Sequence, residues 1–452
     1  MPKNVAIIGG GVAGLAAACA LADVGHTVTL FERKPFLGGR ASSYQHPGTN
    51  EVVDNCQHVL LGCCTNLIDL YRRIGSENDV AWFDTLTFIT PDGVRSNLKA
   101  TSLPAPMHST PSFLTAKFLS ASDKITVSRG LAAMMREPLA DDGRPFRQWL
   151  RDHGQTEQAI RRFWEPVLVS ALNEDLDRCS ARYASLVFRD SFLKSARAGE
   201  MGVPRVPLTE LYSRAQGYIE TRSGTVRLRT SVDRIESHPD SVSLTLGLEG
   251  AGQTFTADAV IVAVPWIGAA KLLPHFADQL NRIESSSITG IHLWFDREIT
   301  DLPHAVLLDR TIQWMFNKSR LQPQRPEQGS YLEVVVSASK PLVSMQRQDI
   351  IDLAVRELAD FFPRVRDAQL LKATVVKEVH ATYSVVPGAD ELRPKQTTAD
   401  PRVFLAGDWT ETGWPATMEG AVRSGYLAAQ ALDGKRFLVP DLPARGLMRM
   451  FA

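Results

Sequence analysis

The run Gly9-Gly10-Gly11-Val12-Ala13-Gly14 constrains this chain most, because of what flanks it. Val5 to Ile8 reads as a buried parallel strand, Gly14 to Val24 as an Ala-rich helix, and Thr27 to Phe31 as a second strand ending at Glu32. A GxGxxG turn inside a βαβ unit, with an acidic residue about twenty positions on, is a dinucleotide-binding arrangement. Gly9 allows the tight turn, Gly11 lets backbone N–H groups approach a pyrophosphate, and Gly14 lets the helix pack on the strand. Val12 and Ala13 open that helix, whose N-terminal partial charge favours an anion. Glu32 is expected to accept from ribose hydroxyls, and its neighbour Arg33 joins the candidate contacts. The same glycines explain the uncharged run Val5 to Ala22 better than a signal peptide or a membrane helix does.

At 452 residues the chain exceeds what one core supports, so two domains are expected. Fifty Lys and Arg against fifty Asp and Glu leave no net charge and no polybasic field, which argues against nucleic acid as a partner. Cys19, Cys56, Cys63, Cys64 and Cys179 show neither CxxC nor metal-ligand spacing. They read as reduced thiols of a cytosolic protein, with no metal site expected.

Three later elements extend the glycine turn. Gly38-Gly39-Arg40 offers unusual backbone freedom and a guanidinium fork suited to phosphate oxygens, which a nicotinamide-only domain does not need. Ala406-Gly407-Asp408-Trp409 ends an apolar strand, where Gly407 brings backbone N–H close to phosphate and Asp408 is placed to accept a ribityl hydroxyl. Met418-Glu419-Gly420-Ala421 opens the last helix, whose amides suit the N1–C2=O edge of a flavin, negative when reduced. Each has a structural reading in isolation; in this order they indicate non-covalent FAD. Val232, on a short strand-like run, completes the candidate cofactor contacts.

The expected organisation is discontinuous. Residues 1–60, 204–267 and 391–435 make the FAD-binding domain, 61–203 a helical lid that is also the first part of the substrate domain and 268–390 its sheet-based second part, with 436–452 as a tail. Apolar residues at helical spacing in Leu67-Ile68-Leu70-Tyr71-Ile74 and Ile160-Phe163-Trp164-Val167-Leu168 support the lid. Leu321 to Gly329, rich in Gln and Pro, reads as an exposed loop. Asp54-Asn55-Cys56-Gln57-His58 concentrates polar groups where the chain crosses toward the flavin ring; polar packing and direct catalysis are both open for it.

Together GGGVAG, Glu32, GGR, LAGDWT and MEGAVRSG resemble the flavoprotein superfamily of amine oxidases, carotenoid desaturases and Rab escort proteins. The stretches DNCQHVLLGCCTNL, WEPVLVSALNED, VPRVPLTEL and PGADELRP leading into LAGDWTETGWPATMEGAVRSG resemble the hydroxysqualene dehydroxylases, also called squalene-associated FAD-dependent desaturases. The likeness covers nearly the whole chain. It implies an α/β, two-domain, FAD-binding Rossmann-like fold of the glutathione-reductase and amine-oxidase type, with a sheet-plus-helices substrate domain. Cys56 departs from the family text, which commonly carries Gly at that place.

The implied reaction is reductive removal of the hydroxyl of hydroxysqualene, giving squalene and water in hopanoid precursor synthesis. Such chemistry needs a long apolar tunnel, one proton donor for the leaving hydroxyl and exclusion of water. His58 is the expected donor, with Asn55 and Gln57 as orienting groups. Trp82, Phe83, Phe163, Trp164, Trp294 and Phe295 are candidate walls. So insoluble a substrate implies a cytoplasmic protein held peripherally at the inner membrane face; the sequence names no electron donor. The rivals are a phytoene-type desaturase, which runs hydride in the opposite direction, and a flavin amine oxidase, opposed by the lack of any Cys after Cys179 and of a Lys within Thr289 to Phe295. A non-catalytic prenyl escort is opposed by the intact phosphate glycines.

Overall fold

A computed structural model describes residues 1–136, 139–322 and 329–451. At its centre lies a five-stranded parallel sheet in the order Thr225–Arg227, Thr27–Phe31, Asn4–Ile8, Ala259–Val262, Val403–Leu405. The runs VAII, VTLF and AVIV are continuous and apolar rather than alternating, as a sheet covered on both faces requires. The helix Val12–Asp23 is buried from Val12 to Ala22, because it lies between this sheet and the last helix, Met418–Asp433. Gly425 makes that crossing possible: a Cβ there would stand 2.2 Å from the Ala13 carbonyl oxygen. The apolar run Val5 to Ala22 is thus strand, turn and core helix. Among the described residues no helix is long and apolar enough to cross a membrane.

A second, seven-stranded sheet has the order Leu370–Tyr383, Ser285–Phe295, Ser330–Ser337, Trp314–Asn317, His304–Leu307, Thr85–Ile89, Arg95–Lys99. Its last two strands come from the segment expected to be a helical lid. The alternating, β-branched TLTFI favours a strand, and it pairs in parallel with His304–Leu307 in a sheet built by residues more than two hundred positions away. Side chains alternate across this sheet. Ile291, Leu293, Leu332, Val334 and Val336 pack with the helix Arg347–Phe361, and Phe295 is buried in the same cluster. Gly290, His292, Trp294, Tyr331 and Glu333 occupy the other face, toward the Asn55–Cys56 backbone.

The helical part of 61–203 packs round Phe146, Trp149, Phe163, Trp164 and Phe188. Phe163 and Trp164 are therefore core, while Trp82 is 41% exposed. Leu321 to Gly329 lies for the most part outside the described residues. In the tail, Gly446–Met450 forms a 3-10 turn whose Leu447 N–H donates to the Ala105 carbonyl, with Met448 buried against Ala105 and Leu193.

Candidate cofactor and active site

The glycine turn is sterically closed around itself. A Cβ on Gly14 would meet the Gly9 carbonyl oxygen at 2.0 Å, so only glycine lets the helix start this close to the strand. Gly11 caps the helix that Val12 and Ala13 begin, and the second glycine element docks onto it: Gly38 N–H donates to the Gly10 carbonyl at 2.9 Å. Glu32 is buried and accepts from the backbone N–H groups of Gly10 and Lys34, both at 2.7 Å. One carboxylate thereby fixes the turn and the start of the next loop, leaving further lone pairs for hydroxyls. Arg33 beside it is exposed. Val232 is buried on the strand Thr230–Ser237, which begins where Thr230 N–H donates to the Glu32 carbonyl.

Arg40 and Asp408, 368 positions apart, meet at 2.5 Å. The other arm of the Arg40 fork donates to the Ala381 carbonyl at 2.8 Å, so in this structure the fork holds protein groups rather than pointing free toward a phosphate. Gly407 N–H donates to Ser424 Oγ at 2.8 Å, and buried Trp409 donates to the Val264 carbonyl at 3.0 Å. Thr417 caps the last helix by accepting from Gly420 N–H at 3.1 Å. Met418, in its first turn, accepts from the Tyr212 hydroxyl through sulfur, and Ala421 follows one turn on.

The loop of Asp54 to His58 is anchored by a buried charge cluster. Lys318 Nζ lies 2.6 Å from Asp54, 2.8 Å from the Gln57 side-chain oxygen and 3.4 Å from Glu333, all three charged groups being closed to solvent. Burial would raise the Asp54 pKa, but Lys318 and the bonds from Ser43 and Leu208 outweigh it and hold the carboxyl below its ordinary range. Glu333 is pushed up to about 7 by burial, with Lys318 pulling back only part of the way. Asn55 Oδ1 is buried with no hydrogen-bond partner in the described structure, an acceptor waiting for a donor. His58 is half-buried, its Nδ1 2.8 Å from the Cys56 carbonyl, and burial lowers its pKa against that bond. It is therefore neutral at neutral pH, with Nδ1–H on the carbonyl and Nε2 as acceptor. Cys56 adopts no positive φ, so the place of the family glycine is filled by ordinary backbone.

Arg393, Glu419, Lys318 and Glu333 were not among the expected site residues. Buried Arg393 donates to the Asp408 and Thr410 carbonyls and to Thr412 Oγ1, and pairs with Asp390 at 2.8 Å, so it holds the Gly407–Thr412 loop. Glu419 accepts from Asn66 and Leu67 N–H and from Arg423, tying the last helix to the helix Thr65–Ile74. Five cysteines are free, buried or half-buried. Among the described residues no cluster of metal-ligating side chains occurs.

The model of the flavin containing amine oxidoreductases matches residues 12–433. The chain belongs to that family. Its cofactor is FAD, and three features of this chain fit it: the glycine turn closed around Gly9 and Gly14, the capped N-terminus of the last helix, and the buried, orphaned Asn55 acceptor. A probable zeta-carotene desaturase of Synechococcus elongatus is 29% identical, covering 95% of this chain and 98% of its own length. A 15-cis-phytoene desaturase of the same organism is also 29% identical, covering 96% of each. In fold, the chain is similar to an oxidoreductase from Methanosarcina mazei, with TM-score 0.74 at 17% identity over 96% of this chain and 100% of that one. Cyclohexylamine oxidase from Brevibacterium oxydans aligns with TM-score 0.67 at 18% identity over 96% and 99%.

Proposed function

We propose that this flavin-dependent oxidoreductase removes the hydroxyl of hydroxysqualene reductively, giving squalene and water, with FAD held non-covalently. The observation that carries the proposal is how the stretches resembling the dehydroxylases join. Arg393 of PGADELRP bonds the LAGDWT loop, Asn173 and Glu174 of WEPVLVSALNED bond Thr382 and Ser384 just before it, and Leu208 of VPRVPLTEL donates to Asp54 of DNCQH. Stretches that carry the resemblance are thus bonded to one another across the chain, VPRVPLTEL to DNCQH, PGADELRP to the LAGDWT loop, and WEPVLVSALNED to the strand end that leads into PGADELRP. The two relatives named as carotenoid desaturases support a long isoprenoid substrate.

When bound in its reduced form, FAD supplies the hydride that replaces the departing hydroxyl. The chain's own residues do the rest. Lys318, Asp54 and Gln57 fix the loop that carries Asn55 and His58; Asn55 Oδ1 is free to orient a donor; His58, when protonated, gives its proton to the leaving hydroxyl so that water departs. Burial of Asn55 and Gln57 keeps bulk water from an allylic cation. The protein acts in the cytoplasm, drawing its substrate from the inner membrane face. Incubating reduced protein with hydroxysqualene and oxidised protein with phytoene discriminates direction: squalene from the first and no desaturated product from the second supports the proposal, and the reverse outcome assigns a desaturase.

A further inference from the structure

The seven-stranded sheet is finished at one edge and open at the other. At Arg95–Lys99 the helix Thr110–Thr115 lies alongside, and Ser112 Oγ accepts from the Lys99 N–H at 3.0 Å and donates to its carbonyl at 2.8 Å. The opposite edge, Leu370–Tyr383, runs for fourteen residues and pairs only with Ser285–Phe295 among the described residues. From Leu371 to His380 its backbone bonds no other described segment, and Arg40 reaches it just beyond, at the Ala381 carbonyl. So long a row of unpaired N–H and C=O groups is a template for another strand.

The side chains of this edge select which strand. Its regular ladder with Ser285–Phe295 runs from Lys372 to Glu378, bounded by register shifts at Leu371 and beyond Glu378, and Val375 is the midpoint. Two copies set antiparallel about a two-fold axis through Val375 bring Lys372 opposite Glu378 twice, and Leu371 opposite Val379 twice. Leu371 is 55% exposed and Val379 42%, so each outward apolar side chain gains an apolar neighbour. Lys372 donates to Glu51 at 2.7 Å and to the Thr49 carbonyl at 3.5 Å, which leaves its third N–H over, and Glu378 has no ion-pair partner among the described residues. Lys377, which would face Ala373, is held by the Val343 and Met345 carbonyls of its own chain. Shifted registers lose the match: about Thr374, Lys372 faces Val376; about Val376 it faces His380; and about Lys377 the two copies of that lysine face each other.

We infer that the protein forms a two-fold dimer in which the Leu370–Tyr383 edges of two copies pair antiparallel about Val375, joining their seven-stranded sheets into one; the inference is independent of the proposed reaction. The test uses the full-length, FAD-loaded protein and sedimentation velocity over a range of concentrations. The wild type is expected to sediment as a dimer at high concentration. Lys372→Glu and Glu378→Lys each set like charges opposite one another at both symmetric positions, and each should raise the dissociation constant roughly thirtyfold. Mixing the two single variants should restore the dimer, because every lysine then faces a glutamate, and the double variant Lys372→Glu with Glu378→Lys should dimerise by itself. Flavin absorbance and far-ultraviolet circular dichroism of each variant are expected to match the wild type. A wild type that stays monomeric at every concentration overturns the inference, and so does a dimer that both single variants leave intact, which would place the interface elsewhere. Single variants that dissociate but do not recombine on mixing overturn the register about Val375 and assign the loss to the contacts each residue makes within its own chain.

Discussion

Glu333→Gln tests the buried charge cluster quantitatively. The Glu333 carboxyl is inaccessible to solvent, shares Lys318 with Asp54, and is carried at about 7 in place of the ordinary 4.5. Because the folded protein holds this proton more tightly than the unfolded chain, stability falls as pH rises from about 4.5 to about 7, and above that range the ionised carboxylate costs about 3 kcal/mol. Glutamine keeps the shape and removes the titration. Lys318 retains Asp54 at 2.6 Å and Gln57 at 2.8 Å, so the variant should not expose an unpaired cation. Urea titrations of wild type and Glu333→Gln are expected to differ little near pH 5 and to separate toward higher pH, with the variant the more stable by about 2–3 kcal/mol near pH 8. A difference independent of pH, or a variant less stable than wild type at pH 8, would refute the assignment of a strained, proton-holding carboxyl.

Gly14→Ala forces a Cβ to within 2.0 Å of the Gly9 oxygen, and should cost about 2–4 kcal/mol and strip flavin absorbance from the desalted protein; retained flavin would count against the turn as the phosphate site. Arg393→Met removes the donor to the Asp408 and Thr410 carbonyls and leaves Asp390 with a lost partner, so a loss of about 3–5 kcal/mol in urea titrations and weakened FAD retention are expected. His58→Ala should slow single-turnover product formation by about a hundredfold. In the wild type that rate should rise as pH falls below 6.5 toward the lowered His58 pKa, since only the protonated ring can donate. An unchanged rate removes His58 from the role.

What was legible in the sequence is what short-range sterics dictate. Glycines at 9, 11 and 14 between an apolar strand and an Ala-rich helix admit few conformations, and the sheet partners VAII, VTLF and AVIV are visible as continuous apolar runs. The strand Thr85–Ile89 was hidden inside a stretch read as helical overall, because its five residues are too few for their alternation to outweigh the helical spacing of the longer runs Leu67 to Ile74 and Ile160 to Leu168. Glu333 stands in SYLEVVVS, where a lone acid in an apolar strand reads as a solvent-facing position; only Lys318 and Asp54, brought from elsewhere in the chain, make its burial tolerable. Glu419 went unassigned for a similar reason: its partners, the open N–H groups at the start of another helix, lie more than three hundred and fifty positions away. Arg40 and Asp408 were each assigned to the cofactor separately, and nothing local to either discloses that they pair with one another.

The most direct test of the proposed activity is anaerobic. The purified protein is reduced with dithionite, freed of excess reductant and mixed with hydroxysqualene, and flavin absorbance is followed while squalene is extracted and quantified. One squalene formed for each flavin reoxidised is the expected result. Flavin that stays reduced in the presence of hydroxysqualene, with no squalene formed, would contradict it.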